Sequence, residues 1–147
     1  MGSGRIRLFL ISALCLSLLC ACGRLSPRAS ELADNASSYM NIAVFADRDL
    51  RTDEYYIPQT GQYFVYLSDI EGIEEISPDV SVAVQDYSYI QIDEYCVWFF
   101  NDETRTEGIL CILDSGRSRD LFRDLEMDRE KLAEDCYLLT QPRAWIG

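Results

Sequence analysis

The apolar positions of this 147-residue chain fall into short blocks separated by polar, glycine- and proline-bearing breaks. Met40 to Ala46 is apolar-rich and predicts a buried strand, which Asp47-Arg48-Asp49 ends. Tyr55-Tyr56-Ile57 and Gln62 to Leu67 flank Pro58-Gln59-Thr60-Gly61, with proline early in a tight turn and glycine closing it. This pattern predicts a hairpin. Ser68-Asp69-Ile70-Glu71 has the form of a capping box. It predicts a short helix with Ile70, Ile73 and Ile76 inward, weakened by Gly72 and ended by Pro78. Val80, Val82 and Val84 alternate with polar or small residues, as in a half-buried strand. Residues 87–92, 95–100 and 108–113 continue in β-favouring types, and the polar turn at 101–106 separates the last two.

From Ser118 the period becomes helical. Leu121, Phe122 and Leu125 share a face behind a Ser118 N-cap. Asp128 reads as a second N-cap, with Met127 and Leu132 placed as a hydrophobic staple. Two short helices are predicted, 118–126 and 129–135, followed by a strand at 137–140. Strands followed by helices predict an α+β fold, a mainly antiparallel sheet with a C-terminal helix or kinked helix pair.

The first block differs from the rest. Arg5 and Arg7 precede a mainly apolar run from Leu8 to Leu19, and Leu19-Cys20-Ala21-Cys22 closes it. Twelve residues are too few to span a bilayer, which takes about 20. A positive n-region, an apolar h-region and a small residue before a cysteine make an export signal. The stretch resembles the lipobox of bacterial lipoprotein precursors. That resemblance implies cleavage after Ala21, lipid on Cys22 and a durable membrane anchor, since a single acyl chain holds only marginally. It places the mature protein outside the cytoplasm. In a Gram-negative host the site would be the periplasmic face of the outer membrane, because Gly23 replaces the aspartate that favours inner-membrane retention. In a Gram-positive host it would be the outer face of the plasma membrane.

The expected organisation is a signal peptide over 1–21, a lipidated N-terminus with a flexible tether over 22–38, and a single globular domain over 39–147. The tether is polar and Ser/Ala-rich. Taken as flexible, its 16 residues from Gly23 reach about 22 Å.

Charge narrows the partners. The chain has 13 basic and 25 acidic residues. Losing residues 1–21 removes Arg5 and Arg7 and no acid, leaving 11 against 25, a net charge of −14. Such a chain repels nucleic-acid phosphates, so no nucleic-acid partner is expected. Between Arg51 and Arg105 there is no lysine or arginine, while 12 acids and most of the aromatic residues fall there. Tyrosine at a surface gives large contact area at low entropic cost. Glu74, Glu75, Asp93, Glu94, Tyr87 and Tyr89 are the candidates for a surface that takes a basic protein partner.

Catalytic chemistry finds little support. The chain has no histidine, which excludes Ser-His and Cys-His nucleophiles. Lys131, the sole lysine, sits among Glu130, Glu134 and Asp135. Residues 47–58 resemble a calcium loop only loosely. Arg51, Thr52 and Pro58 stand where an oxygen ligand, a glycine and a glutamate are needed. No cofactor or metal site is predicted.

After removal of Cys15 and Cys20 and lipidation of Cys22, the cysteines left are Cys96, Cys111 and Cys136, and three pairings among them are open. A hairpin with 102–105 as a four-residue loop would set Cys96 opposite Cys111, making that pair the disulfide candidate. The resulting expectation is a non-enzymatic protein-binding lipoprotein, such as an immunity protein or periplasmic inhibitor. The alternatives are a small envelope hydrolase using paired carboxylates and a structural lipoprotein of an envelope assembly.

Overall fold

A computed structural model of the protein describes residues 25–76, 85–101, 106–117, 121–123, 125 and 127–140. Cys22, the predicted strand at 80–84, the turn at 102–105 and the Ser118 cap lie outside these residues.

The described chain opens with two helices, α1 (Pro27–Ala33) and α2 (Ala36–Asp49). Both correct an expectation. The tether predicted up to residue 38 is helical from Pro27, and the strand predicted over 40–46 lies inside α2. Local chemistry explains α1. Ser26 is its N-cap, with the hydroxyl accepting from the Ala29 N–H at 3.1 Å, and Pro27 at the first helical position starts with its φ already set. In α2, Ala36, Tyr39, Ile42, Ala43 and Ala46 are buried while Asn41 and Val44 face outward. That spacing is the 3.6-residue period of one helix face.

Seven strands follow among the described residues. They are β1 (Tyr56–Ile57), β2 (Gln62–Tyr66), β3 (Tyr89–Ile92), β4 (Cys96–Phe100), β5 (Glu107–Ile112), β6 (Asp128–Ala133) and β7 (Cys136–Thr140). They form one sheet in the order β1-β2-β3-β4-β5-β7-β6, antiparallel throughout. The fold is α+β. The predicted β1–β2 hairpin is present, with Ile57 opposite Gln62 across the Pro58–Gly61 turn, and Gly61 takes a φ of 72°. Residues Leu67–Asp69 form a 3-10 turn and Ile73–Ile76 a single helical turn, α3. Ser68 bonds Asp69 rather than closing a capping box.

The sheet is buried on both faces in its middle. On one face α1 and α2 pack Leu32, Tyr39, Ile42 and Ala46 against Ile90, Ile92, Val97, Phe99, Ile109, Cys111 and Leu138. On the other, Tyr89, Cys96, Trp98, Phe100, Leu110, Ile112 and Leu139 pack with Phe64, Tyr95, Leu121, Phe122, Leu125, Met127 and Tyr137. Strands covered on both sides read as continuous apolar runs without alternation. This is why 89–92 and 96–100 show none.

The second predicted helix, 129–135, is instead β6 and the turn after it. Only Leu132 of β6 is buried. Asp128, Arg129, Lys131 and Ala133 are exposed along an outer strand, and the register shifts between Lys131 and Ala133. Asp135 completes the turn with a φ of 58°, a conformation aspartate tolerates better than most residues. Of the first predicted helix, residues 121–123 are helical.

Candidate functional site

The residues expected to form a binding surface separate into three groups. Tyr87 and Tyr89 are buried, at 1% and 3% exposure, which corrects their assignment as recognition residues. Tyr89 belongs to the aromatic layer on the sheet's second face, with Phe64 at 4.5 Å and Phe100 at 5.3 Å between ring centroids. Tyr87 packs edge-on against Tyr39 of α2 and donates its hydroxyl to Glu107 Oε1 at 3.1 Å.

Asp93 is a structural hub in the β3–β4 turn. Its carboxylate accepts from Trp98 Nε1 at 2.7 Å and Gln91 Nε2 at 3.3 Å, with the Cys96 thiol at 3.8 Å. Its backbone carbonyl accepts from Arg51 at the end of α2. Arg51 also bonds Asp47 at 2.8 Å and lies 5.5 Å over the Tyr63 ring. Burial, and then the charge of Asp93, push the Cys96 thiol up to about 12.

Glu75 and Glu94 remain exposed, and Glu74 lies in α3. Glu94 meets Arg117 only loosely, at 3.7 Å. The exposed aromatic side chains nearby are ones the sequence did not single out, Tyr56 at 42% and Tyr66 at 48% exposure. Asp53, Glu54, Asp69 and Glu71 are exposed in the same part of the chain. Arg51, the cation beside this stretch, is already engaged by Asp47 and the β3–β4 turn. The described residues from 52 to 94 thus expose more acid than Arg28 at Asp86 and Arg117 at Glu94 offset. The two accessible tyrosines lie on opposite faces of the sheet, Tyr56 beside Tyr63 on the helix-covered face and Tyr66 beside Tyr89 on the other.

A second polar group lies where α1 meets the sheet. Arg28 donates to Glu107 Oε1 through Nε at 3.2 Å and Nη2 at 3.0 Å, and pairs with Glu31 at 3.3 Å and Asp86 at 3.5 Å. Partial burial works against the Arg28 charge, and the bonds and charge of Glu107 outweigh it, so its pKa is raised. Asp86 and Glu107, brought together here, share one guanidinium. Next to them the Tyr39 hydroxyl is fully buried with no hydrogen-bond partner among the described residues. Its ring stands edge-on to Tyr87 and Phe99 at 5.6 and 5.4 Å.

The helical start is fixed to the far edge of the sheet. The Ser26 N–H and hydroxyl both donate to Glu130 on β6, each at 2.6 Å, and these bonds lower the Glu130 pKa.

The cysteine register differs from expectation. Cys96 stands opposite Ile112, and Cys111 opposite Val97. Cys96 and Cys111 thus lie on opposite faces of the sheet, which removes them as a disulfide pair. Cys111 instead faces Cys136 across β5 and β7.

Comparison with protein-family models, with characterised proteins and with solved structures finds no match.

Proposed function

We propose that the protein is a lipid-anchored extracytoplasmic module, without enzymatic activity, that binds a basic protein partner. An immunity protein or periplasmic inhibitor is the form that fits best. The observation that carries this reading is the exposed run of Asp53, Glu54, Asp69, Glu71, Glu75 and Glu94 with Tyr56 and Tyr66 also exposed. Such a field draws in a cationic protein, and a tyrosine at the contact, Tyr56 on one face of the sheet or Tyr66 on the other, holds it.

With lipid on Cys22, the Ser26–Glu130 bonds make the leash short. Only residues 23–25 separate the anchor from a residue fixed to the sheet. Four residue steps reach at most about 14 Å. The domain would ride close to the bilayer with the α1 and β6 end toward it.

Two measurements test the proposal. Mass spectrometry of membrane-extracted protein should find an N-terminal Cys22 carrying diacylglycerol. An unmodified N-terminus elsewhere, or a Cys22→Ala protein that fractionates like wild type, removes the anchor. Against a partner isolated by envelope crosslinking, salt and the Glu75→Gln/Glu94→Gln double substitution should slow association. Tyr56→Ala or Tyr66→Ala should speed dissociation. Binding indifferent to all of these overturns the recognition surface.

A further inference from the structure

Cys111 and Cys136 are direct neighbours on antiparallel strands, with Sγ atoms 3.9 Å apart. The Ile112 N–H donates to the Asp135 carbonyl at 2.8 Å, so residues 112 and 135 form a hydrogen-bonded pair. In an antiparallel ladder the two kinds of pair alternate, which makes Cys111–Cys136 a non-hydrogen-bonded pair. Cα atoms at such a pair stand about 4.5 Å apart and their side chains are close, within the range a disulfide requires. Both side chains point to the helix-covered face and belong to the same buried cluster. Cys96, on the opposite face, cannot compete.

We propose that Cys111 and Cys136 form a cross-strand disulfide when the chain meets a disulfide-bearing oxidant. The thiolate of one cysteine attacks a sulfur of the oxidant's disulfide, giving a mixed disulfide and releasing one oxidant thiol. The thiolate of the second cysteine attacks the mixed disulfide, the Cys111–Cys136 bond forms, and the second oxidant thiol leaves. Two electrons pass to the oxidant, and the two cysteine protons end on its thiols. Both sulfurs are buried in the folded protein. The exchange therefore takes place before β7 docks on β5, or when the β6–β7 hairpin opens.

The bridge has a definite structural effect. It staples β7, and with it the β6 edge that holds Ser26, to the centre of the sheet. The loop it closes contains Leu121, Phe122, Leu125 and Met127, which pack on the second face. This inference goes beyond the proposed function and does not depend on it, because the pairing follows from the strand register alone.

The test uses the full chain, denatured and refolded with oxidised and reduced glutathione. It is then acid-quenched, alkylated under denaturing conditions and digested with trypsin without reduction. Cys96, Cys111 and Cys136 fall in separate tryptic peptides, because Arg51, Arg105, Arg117, Lys131 and Arg143 divide them, and Cys15, Cys20 and Cys22 fall together in peptide 8–24. The expected product joins peptide 106–117 to peptide 132–143, while the Cys96 peptide is alkylated. Cys96→Ala should leave the joined pair unchanged, and Cys136→Ser should abolish it. Reduction should lower the melting temperature by about 10 °C, given a closed loop of about 25 residues. Alkylated Cys111 and Cys136 at every redox ratio, or a bridge through Cys96, overturns the proposal. An unchanged melting temperature overturns the staple. A chain that bridges in vitro but is neither lipidated nor exported in the cell sinks the export reading and leaves the bridge standing.

Discussion

Tyr39 and Tyr87 are both buried tyrosines with their rings 5.6 Å apart, yet removing their hydroxyls should move stability in opposite directions. The Tyr39 hydroxyl is buried with no hydrogen-bond partner among the described residues. A buried hydroxyl without a bond carries a desolvation cost of about 1–3 kcal/mol. Tyr39→Phe removes that group and keeps the edge contacts to Tyr87 and Phe99. The space left is about one oxygen atom, worth a few tenths of a kcal/mol as cavity. The net expectation is a gain of about 1 kcal/mol, or a rise of about 3–4 °C in melting temperature. Tyr87→Phe deletes a bond to a carboxylate, of a kind worth about 1.5–3 kcal/mol. Arg28 still supplies Glu107 with two donors, which places the loss near the low end. Urea unfolding of the two variants side by side is the assay, read as a shift in midpoint at constant m. Tyr39→Phe as destabilising as Tyr87→Phe would mean that the Tyr39 hydroxyl is satisfied, and the reasoning would fail.

Two further outcomes follow from the packing and titration. Gly108 lies opposite Phe100, and a Cβ there would stand 2.7 Å from the Phe99 carbonyl oxygen and 3.2 Å from the Phe100 ring. Gly108→Ala should therefore cost about 1–3 kcal/mol by overpacking, and an unchanged urea midpoint would contradict it. In the reduced protein, burial raises the pKa of Cys96 to about 12 from an ordinary value of 9.0, and raises those of Tyr39 and Tyr87 above 10. The unfolded chain releases these protons first, so the stability they contribute is complete below about pH 9 and is lost as pH rises toward 12. The slope approaches about 1.4 kcal/mol per pH unit for each group. Urea midpoints that stay flat from pH 8 to pH 11 would contradict it.

The strands that were legible in the sequence are those rich in β-branched and aromatic residues and bounded by turn chemistry, namely β1 to β5 and β7. The helices were not, for a physical reason. The buried stripe of α2 is built largely from Ala36, Ala43 and Ala46, which carry little hydrophobic weight, while outward Val44 fills the gap and makes residues 40–46 look continuous. The Ser26-Pro27 pair was a helix start written in plain chemistry, hidden by a polar composition that also suits a linker. An outer strand with one buried residue has no alternation to display, so β6 gave way to the capping pattern at Met127–Leu132. The cysteine pairing failed by one residue. The loop between β4 and β5 is longer than assumed, with Phe100 opposite Gly108, and a single-residue slip sends every side chain to the other face. For the binding surface, composition located the acids but could not separate exposed Tyr56 and Tyr66 from buried Tyr87 and Tyr89. That distinction depends on position across the sheet: Tyr66 and Tyr89 are cross-strand partners on one face, but Tyr66 lies near the β1–β2 edge and Tyr89 under the cover of the centre.

The two outer strands of the sheet bear on how many copies could share a surface. An open sheet edge is a template for pairing with the next molecule, and concentrating molecules in a plane makes such encounters frequent. Here one edge is a two-residue strand, too short to template anything. The other carries Asp128, Arg129, Glu130 and Lys131 in succession, and its ladder is broken by the shift at Lys131–Ala133. A neighbour arriving at that edge would meet charges and an interrupted row of backbone donors. The same sequence that obscured β6 as a strand makes it a poor seed for sheet-to-sheet growth, so crowded copies can remain separate molecules.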